Sequence, residues 1–102
     1  MSEYVAAARV SELSEGACIQ RLVAGKPVAL FNVGGRIFAL EGVCLHRGGP
    51  VGEGDLEDNI VTCPWHGWQY DVTTGRNVFD DSIGLRTYEV RVQDGEILVA
   101  LS

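Results

Sequence analysis

Two short segments carry residue types able to hold a metal: Cys44-Leu45-His46 and Cys63-Pro64-Trp65-His66. Each pairs one thiol with one imidazole, as C-x-H in the first and C-x-x-H in the second, with 16 residues, Arg47 to Thr62, between them. Thiolates select soft or borderline metals, whereas a magnesium or calcium site would be built from carboxylates, so the donor set points to zinc or iron–sulfur chemistry. Gly48, Gly49 and Pro50 follow the first pair, and Pro64 and Gly67 flank the second. Such residues let each loop turn sharply while its backbone comes close to a bulky inorganic core. A structural Cys₂His₂ zinc site remains chemically open, although zinc-finger spacings usually separate a cysteine pair from a histidine pair.

The elements that must position these loops read as short strands. Val28 to Val33 is a near-continuous apolar run, Gly34-Gly35 is a two-residue hairpin signal, and Arg36 to Leu40 resumes in β-branched and aromatic residues. Tyr88 to Val92 alternates with period two, Asp94-Gly95 makes a second hairpin turn, and Glu96 to Leu101 is the return strand. Ala17 to Val23 fits a strand leading to a Gly25-Lys26-Pro27 turn, with Ser14-Glu15 able to cap a helical turn before it, and Tyr4 to Val10 fits an edge strand. From Gly42 to Gly54 and from Cys63 to Gly67 the chain is dense in Gly, Pro, Cys and His, which predicts loops. No internal repeat, linker or low-complexity tract interrupts the 102 residues, so the expectation is one all-β domain over residues 1–102.

Composition narrows the function. A net charge of −6 disfavours nucleic acid, which is bound by Lys/Arg-rich faces, and suits an acidic carrier steered to a basic protein surface. No apolar run approaches the roughly 18 residues of a membrane helix, and Met1-Ser2-Glu3-Tyr4 lacks a basic signal-peptide start, so a soluble cytoplasmic protein is expected. Three cysteines are an odd number, which fits thiolate or metal chemistry better than a disulfide framework. Cys18 lies on an apolar segment far from both loops and reads as a buried inert thiol.

C-L-H-R-G-G-P together with C-P-W-H-G-W resembles the paired cluster-binding loops of Rieske iron–sulfur proteins, and the likeness extends through the hairpin pattern from about Val28 to Val99. It implies a Rieske fold, with antiparallel sheets packed as a small sandwich and two cluster-binding loops, about 42–54 and 62–70, at one end. It implies one [2Fe–2S] cluster per chain, with Cys44 and Cys63 on one iron and His46 and His66 on the other. With neutral imidazoles the oxidised centre is formally uncharged, and the added electron favours the His-ligated iron. Tyr70 matches a tyrosine whose hydroxyl donates to a ligand sulfur. Arg47 stands beside a ligand, and Trp65 and Trp68 either pack the loops or form a docking surface. Glu53, Asp55, Glu57 and Asp58 read as solvated, with docking as the alternative, and Asp80-Asp81 reads the same way.

Departures from the pattern sort the chain within the family. In the high-potential respiratory branch a disulfide joins the two loops; the matching positions are Gly49 and Trp65, and a serine that donates to a cluster sulfide there is replaced by Trp68. Fewer hydrogen bonds to cluster sulfurs predict the low end of the range, about −150 to 0 mV. A proline-bearing third loop common among relatives has no counterpart, since proline occurs only at 27, 50 and 64. An oxygenase would need two further histidines for a two-His-one-carboxylate iron, and no GxGxxG unit offers a nucleotide site. The resemblance therefore implies an electron-transfer protein and not an enzyme. It would be a Rieske-type ferredoxin passing single electrons from a flavin-containing, NAD(P)H-dependent reductase to a terminal oxygenase. The alternatives are the small subunit of an assimilatory nitrite reductase and a structural zinc domain.

Overall fold

The computed structural model of the protein describes residues 3–45, 48–65 and 67–101. Among them are nine strands: β1 (Tyr4–Arg9), β2 (Cys18–Val23), β3 (Lys26–Val33), β4 (Arg36–Glu41), β5 (Asp55–Glu57), β6 (Ile60–Thr62), β7 (Gln69–Asp71), β8 (Thr87–Gln93) and β9 (Glu96–Ala100). Single 3₁₀ turns stand at Val10–Glu12 and Val51–Glu53. Six strands pair in the order β1-β9-β8-β4-β3-β2, and three more in the order β5-β6-β7, every pair antiparallel.

The apolar run in β3 has a direct cause: the strand is buried on both faces. Val28 and Leu30 join Leu13, Val23, Ala39, Ile97 and Val99 in one core. Ala29 and Phe31 point the other way, into a second core with Leu40, Val51, Val61, Tyr70 and Val72. A strand covered on two sides has no reason to alternate. β8 and β9 do alternate, because one of their faces meets solvent: Ile97 and Val99 are fully buried while Glu89 and Arg91 are exposed. β4 meets β8 through only two residue pairs, Ala39↔Tyr88 and Leu40↔Thr87. At that junction the six-stranded sheet folds over itself, so that β9 covers β3 and the expected sandwich results. The β5-β6-β7 sheet lies over the other face of β3 and β4. Full burial of Phe31, Leu30 or Leu40 stabilises by roughly 1.5–3 kcal/mol each.

Two expectations about turns are corrected. The β2–β3 turn is Ala24-Gly25, both with positive φ (50° and 81°), and not Gly25-Lys26-Pro27; Lys26 and Pro27 already pair with Val23 and Leu22. The sheet of three short strands β5, β6 and β7, which borders the segments expected as loops, has no counterpart in the sequence pattern. Strands of three residues carry too little periodicity to register against neighbouring Gly, Pro and Cys. Ser14-Glu15 caps no helix; the helical turn precedes it, at Val10–Glu12. The edge strand, both long hairpins and their Gly34-Gly35 and Asp94-Gly95 turns stand where the pattern put them.

Candidate metal centre

The two motifs sit on a pair of similarly closed knuckles. In the first, the Cys44 N–H donates to the Gly49 carbonyl (2.9 Å), the Gly48 N–H donates to the Cys44 carbonyl (2.8 Å), and Val43 bridges Pro50. In the second, at the open end of β6 and β7, the Cys63 N–H donates to the Trp68 carbonyl (2.7 Å). In both, a cysteine N–H reaches the carbonyl five residues on, which leaves each thiol at the start of a short projecting loop.

The base of the first knuckle is tied down by a residue that motif reading had no means to find. Gln20, on β2, donates from Nε2 to the Gly42 carbonyl (2.8 Å) and accepts at Oε1 from the Gly52 N–H (2.8 Å), so one amide spans the loop's entry and exit. A Cβ at Gly52 would collide with the Ile19 carbonyl as well as the Gln20 amide, and one at Gly42 would displace that amide from its bonds. Cys18 is half-buried beside this region and donates to the Gly54 carbonyl (3.3 Å); burial and then Asp55 push its thiol up. That environment suits an inert packing thiol.

Cys44 and Cys63 are both buried, at 2% exposure, and neither is in a disulfide. Burial pushes the Cys63 thiol up, the Trp65 N–H opposes this, and the adjoining Cys44 thiol raises it further. Two buried soft donors thus adjoin one another, and a metal held there would supply the charge that keeps both as thiolates. Space between the loops is tight. A Cβ on Gly49 would lie 2.9 Å from the Cys63 sulfur and 3.0 Å from Cβ of Trp65. The two positions a cross-link would occupy are therefore face to face, filled by a residue with no side chain and one that cannot bridge.

Tyr70, fully buried, places its hydroxyl 3.4 Å from the Cys44 sulfur and accepts from the Leu45 N–H (3.2 Å). Burial raises its pKa well above the ordinary phenol value and the Cys44 thiol adds to the rise, while the Leu45 N–H and the Asn77 side chain oppose it. Trp68 packs partly buried against the core under the loops, and Trp65 is half exposed, as is Leu45. Glu53, Asp55, Glu57, Asp58, Asp80 and Asp81 are exposed. His46, Arg47 and His66 lie outside the described residues. The site therefore brings together Cys44, Cys63 and Tyr70, with Gln20 and Asn77 behind them. Buried facing thiols, a phenol on one sulfur and glycine at the point of closest approach fit a compact thiolate-bound iron–sulfur group.

Comparison with known proteins agrees with that chemistry. Residues 3–89 match the model of the Rieske [2Fe–2S] domain. The ferredoxin component of the naphthalene 1,2-dioxygenase system of Pseudomonas putida is 30% identical over 101 residues, spanning 98% of this chain and 97% of that protein. The ferredoxin of carbazole 1,9a-dioxygenase from Nocardioides aromaticivorans superposes with a TM-score of 0.89 at 28% identity, covering 99% of this chain and 100% of that one. A chain in a complex of reduced oxygenase and oxidised ferredoxin, also of carbazole 1,9a-dioxygenase, superposes at 0.84 with 29% identity, over 95% of this chain and 92% of that one.

Proposed function

The chain belongs to the Rieske [2Fe–2S] domain family, and on that premise we propose that it is a one-electron carrier, a Rieske-type ferredoxin serving a multicomponent oxygenase. The observation that carries this reading is the pair of buried, facing thiols of Cys44 and Cys63 on matched knuckles, with the Tyr70 hydroxyl against one of them. Cys44 and Cys63 would hold one iron, and His46 and His66, whose motif positions match, the other. A [2Fe–2S] cluster held there supplies reversible uptake of one electron. The protein's own residues set how readily: the Tyr70 hydroxyl, which accepts from the Leu45 N–H, stands against the Cys44 sulfur, and the apolar core lies beneath.

Relatives that are ferredoxin components of dioxygenase systems, one of them in complex with its oxygenase, support a terminal oxygenase as the downstream partner; the upstream partner proposed with it is a flavin-containing, NAD(P)H-dependent reductase. We further propose a cytoplasmic location. No helix among the described residues is long and apolar enough to cross a membrane, and the three free thiols fit a reducing compartment. The nitrite reductase and zinc readings gain no particular support from the site.

Protein-film voltammetry of the purified protein from pH 6 to 10, with metal analysis, tests the proposal. A reversible one-electron wave near −150 to 0 mV, flat around pH 7 and falling only in alkali as ligand imidazoles deprotonate, is the expected result. A high-potential wave already sloping at neutrality would overturn the ferredoxin assignment. Stoichiometric zinc with no wave would replace it by a structural metal site.

A further inference from the structure

Asn77 is a buried polar residue in the segment that departs from the family pattern. It is 3% exposed, and it follows the turn after β7 and bridges Tyr70 across the small sheet. Its Oδ1 accepts from the Phe79 N–H (2.8 Å) and the Asp80 N–H (3.1 Å), which fixes the amide's orientation. Its Nδ2 is then aimed inward, fully buried, and closes no hydrogen bond of ordinary geometry. A buried amide donor left unmade is costly, so a fold that keeps one usually gives it a partner within reach.

Tyr70 and Asn77 form an antiparallel bridge pair, which sets their side chains on the same face, so the Tyr70 hydroxyl is the polar group that this donor can turn to. A phenol offers one proton and two acceptor positions. The Leu45 N–H takes one acceptor position. We propose that Asn77 is a positioning residue for the redox site: its Nδ2 takes the second acceptor position of the Tyr70 oxygen, leaving the phenolic proton no favourable direction but the Cys44 sulfur. The contact between that oxygen and the sulfur, in which either atom could donate, thereby becomes a hydrogen bond from tyrosine to sulfur. Once Cys44 is a ligand thiolate it has no proton to give, and the oriented phenol stabilises the negative charge that reduction adds.

The inference rests on Cys44 being a cluster ligand, and its test separates the two. The reduction potentials of the loaded protein and of the Asn77→Ser, Tyr70→Phe and double variants form a cycle. Serine keeps a side-chain oxygen for the Phe79 turn and removes the inward donor. Loss of one oriented hydrogen bond predicts about a fivefold weaker reduction equilibrium, which is about 40 mV downward at 59 mV per tenfold. In the Tyr70→Phe background the same substitution should leave the potential unchanged, because there is no hydroxyl to orient. An unshifted potential in Asn77→Ser, or equal shifts in both backgrounds, would overturn the proposal while leaving the carrier function intact. Absence of any wave in the unaltered protein would remove the carrier function and this inference with it. If the serine variant does not assemble, Asn77→Asp keeps Oδ1 for both N–H groups and puts an acceptor where Nδ2 stood. It should draw the phenolic proton off the sulfur and lower the potential more with Tyr70 than with Phe at that position, and equal shifts would again count against the proposal.

Discussion

A methyl group added at Gly49 would stand 2.9 Å from the Cys63 sulfur and equally close to Cγ of Trp65. Neither neighbour can yield freely: the sulfur belongs to a buried donor, and Trp65 follows Cys63 on the same closed knuckle. Gly49→Ala is therefore expected to push the second knuckle away from the first and to lower cluster occupancy, while leaving the two apolar cores intact. Iron and acid-labile sulfide per chain, measured beside far-ultraviolet circular dichroism, check this. A fully loaded alanine variant would mean that the loops part at no cost. The comparison that calibrates it is Cys44→Ser or His66→Ala, where loss of a ligand should abolish normal assembly and destabilise the fold, because binding energy at a multi-ligand site is partly folding energy. Residues of this kind were legible in the amino-acid sequence, since Cys44, Cys63 and their glycines lie within a few positions of one another. Gln20 and Asn77 were not, because their partners, Gly42, Gly52 and Tyr70, are distant in the chain and meet them only after the strands pair.

Elements hold the loops, and Gln20 is where β2 does so. Replacing it by methionine keeps the volume and removes both bonds, leaving the Gly42 carbonyl and the Gly52 N–H without this partner. With a net value of about 0.5–1.5 kcal/mol per hydrogen bond, more where a group is left unsatisfied, Gln20→Met should cost about 2 kcal/mol. Denaturant unfolding measures that loss, and cluster bleaching should become faster in the same variant; an unchanged midpoint would show that β2 and the loop are held together by packing alone. At the end of β7, Asp71 accepts from the Thr73 N–H (2.9 Å) and the Thr73 hydroxyl (2.6 Å). Partial burial works to raise its pKa, but these bonds, with Asn59, bring it below the ordinary value. A depressed folded pKa means that the carboxylate's contribution is present above the unfolded pKa of about 3.9 and is lost as pH falls through the folded value. The stability difference between the native protein and Asp71→Asn should thus hold at pH 6 and shrink below about pH 4, as pH-dependent unfolding can show; a difference constant to pH 3 would mean that the charge is not what matters. The long hairpins were readable because a period of two or a continuous apolar run survives over five to eight residues. The β5-β6-β7 sheet has three residues per strand, and it exists because the face of β3 and β4 needs a cover.

At the scale of the whole molecule the dominant property is charge: 14 acidic against 8 basic side chains, net −6. Exposed carboxylates at Glu53, Asp55, Glu57 and Asp58 are spread along the 3₁₀ turn and the small sheet and make no ion pairs among the described residues. Such a field adds little to stability and acts on encounter, raising association with a basic partner by factors of 10 to 10³ in favourable cases. Its reach falls with the Debye length, from about 30 Å at 0.01 M to about 8 Å at 0.15 M ionic strength. If the reductase or the oxygenase presents a basic face, the second-order rate of electron transfer should drop steeply over that range. The combined Glu53→Lys and Glu57→Lys variant should start lower and depend less on salt. Its reduction potential should stay close to that of the native protein, since both residues are solvated, and this separates a change in encounter from a change in driving force. Stopped-flow reduction at several salt concentrations reads both quantities. A rate indifferent to salt would place recognition in the half-exposed apolar residues, Leu45 and Trp65, and would leave the acidic surface as a determinant of solubility alone.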